Sequence, residues 1–234
     1  MATLLIDTTY FLTVGILGRQ PLWVESSTDH VEMLEPLAAQ VLEECGEKVE
    51  KIEAMAGPGP FTGLRAGLAF ATGLSLSLKV PLAAGSLLFA EDIWARAAGA
   101  GGNVIAVNNA RRRQAYFQIF SESGEELSNM DIASPAQISR AALAMGRPFT
   151  LVGLPGEYFD KISSALSEAE AAFSVLARPA GSLPWLESMH QSVQERPLPA
   201  RPIYLREADA VPLFGKEGES SREISADNLL WSLN

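Results

Sequence analysis

The order of hydrophobic segments repeats along the chain, and this repetition constrains the fold more than any single residue does. Each block begins with three short strand-like segments and continues with an amphipathic helix, a strand, a second helix and a last strand. The first block comprises 3–7, 11–17, 22–26, 34–45, 52–56, 62–78 and 80–84, and the second comprises 104–107, 114–120, 126–132, 135–145, 149–152, 157–166 and 173–176. The sequence therefore predicts an α/β fold built from a duplicated βββαβαβ unit.

The two blocks also predict how the chain is divided. We expect residues 1–100, including a linking helix over 87–98, to form one subdomain and residues 101–211 to form a second, with a further helix near 184–193. The stretch from Arg196 to Arg206 carries several prolines, which cannot continue a helix, so it is predicted to be extended. The polar and charged residues 212–234 are predicted to form a disordered tail.

Charge and cysteine content narrow the classes of function. Lys and Arg number 18 against 28 Asp and Glu, a net charge of −10, which argues against strong direct binding of nucleic acid because phosphate neutralisation needs a basic face. The run Arg111–Arg113 is the local exception, and a solvated turn is its more ordinary interpretation.

The single cysteine, Cys45, leaves no partner for an internal disulfide or a cysteine-based zinc site and fits a reducing cytoplasm. We recognise neither a signal peptide nor a membrane helix and expect a cytoplasmic protein.

A junction rich in glycine and proline joins the strand 52–56 to the helix 62–78. Its glycines tolerate positive φ, its prolines fix φ near about −65°, and Thr62 is predicted to cap the helix. Backbone N–H groups at a helix N-terminus suit an anion, although no Gly-Lys-Ser/Thr of a P-loop follows and Pro60 removes a donor. We therefore interpret the junction as a rigid turn that fixes where the helix begins. The candidate anion or nucleotide contacts are Asp7, Thr8, Gly57, Gly59, Thr62 and Gly63.

Three motifs resemble, in the same order, the signatures of the bacterial TsaB (YeaZ) family. They are Leu5-Ile-Asp-Thr-Thr9, Gly57-Pro-Gly-Pro-Phe-Thr-Gly-Leu-Arg65 and Arg201-Pro-Ile-Tyr-Leu-Arg206. The resemblance covers about residues 2–211 and implies the ribonuclease H-like fold of the actin-like ATPase superfamily. It implies a non-catalytic partner, without a cofactor, of TsaD, the Kae-like enzyme that places threonylcarbamoyl on an anticodon-loop adenosine of tRNA. It also implies a heterodimer with TsaD, the small ATPase TsaE as a further component, and a possible homodimer in isolation.

The chain departs from the family's commoner pattern in two loops. Pro60 stands where a serine is usual, and Asn108-Asn109-Ala110-Arg111 stands where Asp-Ala-Arg is more frequent. The first change weakens an anion site, and the second removes a carboxylate. Neither change is expected to harm a scaffold.

Two catalytic alternatives stay open at this stage. A small-molecule kinase or ATPase of the same fold would use Asp7 near Mg²⁺, although this chemistry needs at least two carboxylates and Asp7 also suits a turn cap. A metalloprotease of the sialoglycoprotease type would need a His-x-x-x-His pair, and the comparable stretch is His30-Val-Glu-Met-Leu34. The other histidine, His190, is predicted to be a surface residue of a helix.

The helix 62–78 is apolar nearly all round, which is typical of a helix covered on both faces. The sheet can cover one face, and either the preceding helix or another subunit covers the second. Its glycines and alanines would allow close approach of helices, and a monomeric core with nothing exposed is the alternative. The predicted interface residues are His30, Leu34, Leu37, Val41, Arg65 and Leu68.

Overall fold

A computed structural model describes residues 2–24, 30–145 and 148–205, and for His30 and Val31 it describes the backbone only. Within these ranges the chain forms two five-stranded sheets and six helices. The predicted tail, 212–234, and Arg206 of the last family motif lie outside the described residues.

The first block forms the first sheet and its two outer helices. Its elements, with the linking helix, are β1 (Ala2–Asp7), β2 (Leu12–Ile16), β3 (Leu22–Val24), α1 (His30–Cys45), β4 (Val49–Gly57), α2 (Phe61–Leu78), β5 (Leu82–Ser86) and α3 (Leu87–Ala97). The strand order is β3-β2-β1-β4-β5. Strands β1, β2 and β3 pair antiparallel, whereas β4 is parallel to both β1 and β5.

The second block repeats this arrangement. Its elements, with the last helix, are β6 (Asn103–Asn109), β7 (Ala115–Phe120), β8 (Asp131–Ala133), α4 (Pro135–Ala144), β9 (Phe149–Gly153), α5 (Glu157–Glu168), β10 (Phe173–Ala177) and α6 (Leu183–Glu195). The strand order β10-β9-β6-β7-β8 mirrors the first sheet, and β6 again pairs antiparallel with one neighbour and parallel with the other. The predicted duplicated βββαβαβ fold is confirmed.

The third strand of the second block is shorter than the predicted segment 126–132. Only β8 pairs regularly with β7, and Glu126 forms an isolated bridge to Phe120. The Ser128 hydroxyl accepts a hydrogen bond from the Ile119 amide at 3.0 Å, at a point where a regular neighbouring strand would offer a backbone carbonyl. This side-chain contact delays regular pairing until Asp131.

Three hydrophobic clusters show that helices and sheets alternate in five layers. Helices α1 and α2 cover the outer face of the first sheet, and α4 and α5 cover the outer face of the second. Helices α3 and α6 lie between the sheets, where Leu88, Trp185 and Met189 are fully buried. Alternation along β1 accounts for this arrangement, because Leu4 and Ile6 face the outer cluster while Leu5 faces the central one.

The first residues of three helices show how far local sequence signals determine where a helix begins. Ser86 caps α3 by accepting from the Phe89 amide. Thr62 does not cap α2, because the helix begins one residue earlier at Phe61 with Pro60 at the N-cap position. Helix α1 begins at His30, four residues before the predicted segment 34–45, and continues through Pro36. Burial of α1 side chains against the sheet outweighs the backbone hydrogen bond that proline cannot donate.

Residues 197–205, called the C-terminal strap below, return to the first sheet. Leu198 and Ala84 exchange two backbone hydrogen bonds of 2.8 and 3.2 Å, and the Ile203 amide donates to the Ala56 carbonyl at 2.8 Å. The strap contains no helix, as the prolines predicted. It brings Tyr204 beside the start of α2.

Candidate functional site

The carboxylate of Asp7, at the end of β1, accepts three hydrogen bonds. Its Oδ1 accepts from the amide of Thr9 at 2.8 Å and from the Thr9 hydroxyl at 2.6 Å, and its Oδ2 accepts from the indole Nε1 of Trp185 at 3.1 Å. The residue is buried. Asp7 thus caps its turn, as the sequence suggested, and also anchors α6.

Glycines in and after the junction let α2 approach the turn that follows β1. A Cβ atom on Gly67 would collide with the Thr8 side chain, and one on Gly59 would lie 3.1 Å from the Thr9 carbonyl oxygen. Gly57 has a φ of 109°, which an L-residue adopts only with strain. Close approach within this chain therefore accounts for these glycines. Of the predicted anion contacts, the structure buries Asp7, Thr8, Gly57, Gly59 and Gly63 and leaves Thr62 exposed.

A second polar cluster lies between the two sheets. Glu91 on α3 accepts from Arg178 Nε at 3.0 Å and from Asn108 Nδ2 at 2.7 Å, and all three residues are buried. The Arg178 guanidinium carbon lies 4.0 Å from the centroid of the Trp185 ring, a cation–π contact. Since Trp185 also bonds Asp7, one chain of contacts joins β1, α6, α3 and the second sheet.

Burial dominates the electrostatics of this cluster. It raises the pKa of Glu91 from 4.5 to about 7, although Arg178 and Asn108 act in the opposite direction. Within the described part of the chain, the buried Nη2 of Arg178 has no hydrogen-bond partner. The pair therefore carries two charges between the sheets only above about pH 7, and it does so at a substantial desolvation cost.

His190 lies on helix α6 with its side chain partly exposed, but its ring also reaches a buried carboxylate that the sequence did not reveal. Its Nδ1 lies 2.8 Å from Oε2 of Glu53, a buried carboxylate on β4 that also accepts from Gln194 Nε2 at 2.8 Å. Lys51 Nζ lies 2.7 Å from Glu53 Oε1. Helix α6 is therefore fastened to the first sheet at Asp7 and again at Glu53.

Sequence reasoning missed the cluster around Glu91, although a signal was present. Glu91 and Asp92 interrupt an apolar stretch of α3, and a charged residue within a buried helix normally has a partner. The partner of Glu91, Arg178, lies 87 positions away. Nothing local to Arg178 reveals that pairing.

The structure corrects four of the predicted interface residues. Leu34, Leu37 and Val41 on α1, and Leu68 on α2, belong to the outer core of the first sheet. Their side chains cover that sheet because they lie on the inner faces of their helices, so they cannot form a surface. The side chain of His30 is outside the described residues, and Arg65 is exposed.

The opposite side of α2, called the α2 outer face below, is exposed and largely uncharged. Its residues are Phe61, Arg65, Ala69, Thr72, Gly73 and Leu76. Phe61 is 40% exposed and Leu76 is 74% exposed, and a Cβ atom on Gly73 would meet nothing within 4 Å. At the start of the face, Phe61 stacks on Tyr204 with ring centroids 5.1 Å apart, and the Arg65 guanidinium carbon lies 4.9 Å from the Phe61 centroid.

The described residues contain neither a metal-ligating cluster nor a membrane-spanning helix. No three His, Cys, Asp or Glu residues among them are grouped so that they could hold a metal ion. None of the helices in the described ranges is long and apolar enough to cross a membrane.

Comparisons with known proteins agree with the architecture. The chain is 29% identical over 223 residues to an uncharacterized protein of Mycobacterium tuberculosis, covering 90% of this chain and 94% of that protein. It is 34% identical over 94 residues to the tRNA threonylcarbamoyladenosine biosynthesis protein TsaB of Escherichia coli, covering 38% of this chain and 40% of that protein. The solved structure of YeaZ from Pseudomonas aeruginosa superimposes with a TM-score of 0.64 at 23% identity, covering 87% of this chain and 99% of that one. Residues 24–183 match the family described as "TsaD: tRNA N6-adenosine threonylcarbamoyltransferase". That range is more than half of the chain, so the chain belongs to the TsaD family and has the duplicated actin-like, ribonuclease H-like fold seen in YeaZ.

Proposed function

We propose that this chain is a non-catalytic partner subunit of a TsaD enzyme and supports threonylcarbamoylation of the anticodon-loop adenosine of tRNAs. The α2 outer face carries the proposal, because it exposes Phe61 and Leu76 beside small residues on an ordered helix. Such a face allows another helix to approach closely. The similarity to TsaB of Escherichia coli supports the same role.

The proposed interface differs from the predicted one in its residues. It uses the outward residues of α2 and, on α1, the exposed side chain of Met33. The stacked group of Phe61, Arg65 and Tyr204 forms its end, and aromatic and arginine side chains are frequent at the energetic centres of interfaces. TsaD would occupy this face in the heterodimer, with TsaE joining the assembled pair. In isolation, two copies of the chain would pair through the same face.

The kinase or ATPase alternative has less support. Asp7 is buried and its two oxygens accept three hydrogen bonds, so a Mg²⁺ ion would have to displace Trp185 or Thr9. The ion pair of Glu91 and Arg178 also occupies the region between the sheets. The metalloprotease alternative has no favouring observation, because Leu34, the position of the second metal ligand, is part of the core.

Pairing can be tested with one surface variant and one control. The chain and TsaD from the same organism are co-expressed, and the heterodimer is measured by size-exclusion chromatography and titration calorimetry. We expect Leu76→Glu to weaken pairing at least about tenfold, because it places a charge in an apolar interface. Leu127→Glu is the control, since Leu127 is 52% exposed on the second subdomain. Normal pairing of the Leu76 variant would mean that another surface is used.

The role in tRNA modification needs a separate measurement. Depletion of the protein is expected to remove threonylcarbamoyladenosine from digested tRNA, and the wild-type chain should restore it. Restoration by Leu127→Glu but not by Leu76→Glu would connect the modification to the α2 outer face. Unchanged nucleoside content after depletion would contradict the proposed function.

A further inference from the structure

The turn between β6 and β7 places three arginines side by side on the surface. Arg111, Arg112 and Arg113 are all exposed, and their φ angles are 59°, 49° and 62°. Three successive residues other than glycine in the left-handed region are rare, because their Cβ atoms crowd the backbone. Asparagine or glycine would adopt this turn with less strain, so the turn's shape alone does not account for arginine.

The turn is fixed from several sides. The Arg111 amide donates to Asn109 Oδ1 at 2.6 Å, and the Arg113 amide donates to the hydroxyl of Tyr158 on α5 at 3.0 Å. The Tyr10 hydroxyl, from the turn between β1 and β2, donates to the Asn109 carbonyl at 2.7 Å. Residues of both blocks thus hold the backbone that presents the arginines, and a fixed backbone reduces the ordering cost of binding.

The local charge contrasts with that of the whole chain. Three of its 18 basic residues are consecutive here, although the chain carries a net charge of −10. Lys161 lies on the neighbouring helix, 5.6 Å from the Tyr158 ring, but it is paired with Glu157 at 2.6 Å and adds little. Guanidinium groups bind phosphate oxygens through two parallel hydrogen bonds, so an exposed row of them suits an array of phosphates.

We propose that the Arg111–Arg113 turn contacts the phosphate backbone of RNA bound by the TsaD complex. The choice of tRNA as that RNA rests on the proposed function. A phosphodiester backbone fits better than a single phosphate group, because adjacent Cα atoms are about 3.8 Å apart and three long side chains can reach successive phosphates. The net negative charge of the chain makes this contact auxiliary, which agrees with the expectation that the isolated chain does not bind nucleic acid strongly.

The test changes the charge and preserves the turn. Arg111, Arg112 and Arg113 are replaced together by asparagine, which tolerates left-handed backbone. A second variant with three lysines keeps the charge. The control, Lys48→Gln with Arg140→Gln, removes exposed cations elsewhere. Binding of tRNA to the heterodimer is measured by fluorescence anisotropy between 50 and 200 mM salt, a range chosen because phosphate contacts respond steeply there.

We expect the asparagine variant to bind tRNA at least about tenfold more weakly. The slope of the logarithm of its binding constant against the logarithm of salt concentration should be smaller in magnitude by about two to three, whereas the lysine variant should keep most of the affinity. An unchanged slope overturns the proposal, and so does an equal loss per charge in the control. Loss of ATP binding without loss of tRNA binding also overturns it, because the turn would then hold a free phosphate group.

Pairing with TsaD is measured first for every variant, which separates the two proposals. If the wild-type chain does not pair, the proposed function fails. The tRNA titration is then repeated with the chain alone over a range of low salt concentrations. A salt dependence that is weaker in the asparagine variant supports RNA contact, and an equal salt dependence overturns the proposal.

Discussion

The buried carboxylate of Glu91 makes a testable contribution to pH-dependent stability. Burial raises its pKa from 4.5 to about 7 in the folded chain, whereas in the unfolded chain it titrates near its ordinary value. Between these two pH values the folded state holds a proton that the unfolded state has lost. Stability therefore falls as pH rises through this window and is constant, with respect to this group, above about pH 7.

The size of the effect follows from the shift. One pKa unit corresponds to about 1.4 kcal/mol, and about half of the Glu91 carboxyl groups still hold the proton at pH 7, so from pH 5.5 to pH 7 this group lowers the free energy of unfolding by about 1.6 kcal/mol. Glu91→Gln removes the titrating group and therefore this slope. The comparison begins at pH 5.5 because the isoelectric point is about 4.8, where aggregation would obscure unfolding.

The assay is urea unfolding followed by tryptophan fluorescence at several pH values from 5.5 to 8. The informative quantity is the difference in unfolding free energy between the wild type and the variant, because other groups titrate in both and cancel. The exposed Glu157, replaced by Gln, serves as the control and should give a flat difference. A flat difference for Glu91→Gln as well, or one that rises in favour of the wild type, would refute the assignment of a raised pKa.

Two further substitutions test the packing around α2 and α1. Gly67→Ala should lower the free energy of unfolding by about 1–3 kcal/mol, because the added Cβ atom collides with Thr8. Gly73→Ala, on the open side of the same helix, should be neutral or stabilising. Equal effects of the two substitutions in urea unfolding would contradict the close approach of α2 to the turn after β1. Leu34→Ala should lower the free energy of unfolding by about 2–5 kcal/mol, measured in the same way, because Leu34 is buried. A variant that is stable but no longer pairs with TsaD would show that Leu34 belongs to the interface.

The duplicated fold could be predicted because its signals are local. Hydrophobic periodicity and turn-forming residues indicated the order of the elements. Local patterns could not say which face of α2 is inward, because that helix is apolar nearly all round. The apolar face of α1 was recognisable, but the pattern does not say whether the sheet or another subunit covers it. Leu34 and Leu68 were therefore assigned to an interface, although the sheet covers them.

The contacts between the sheets could not be predicted, because they join residues far apart in the sequence. The bond between Trp185 and Asp7 spans 178 positions, and that between His190 and Glu53 spans 137. Such pairs depend on the position of α6 between the sheets. A histidine on an amphipathic helix carries no local sign that a buried carboxylate lies opposite it.

The return of α6 to the first sheet makes that half of the protein discontinuous in sequence. The second sheet, from Asn103 to Ala177, is a topological insertion between α3 and α6, and the first half is completed only by residues 183–205. A fragment that stops near residue 100 would expose the central face of β1 and β4 and would leave the Glu53 carboxylate without His190 and Gln194. A complete first half therefore requires a short linker across the insertion, joining α3 directly to α6.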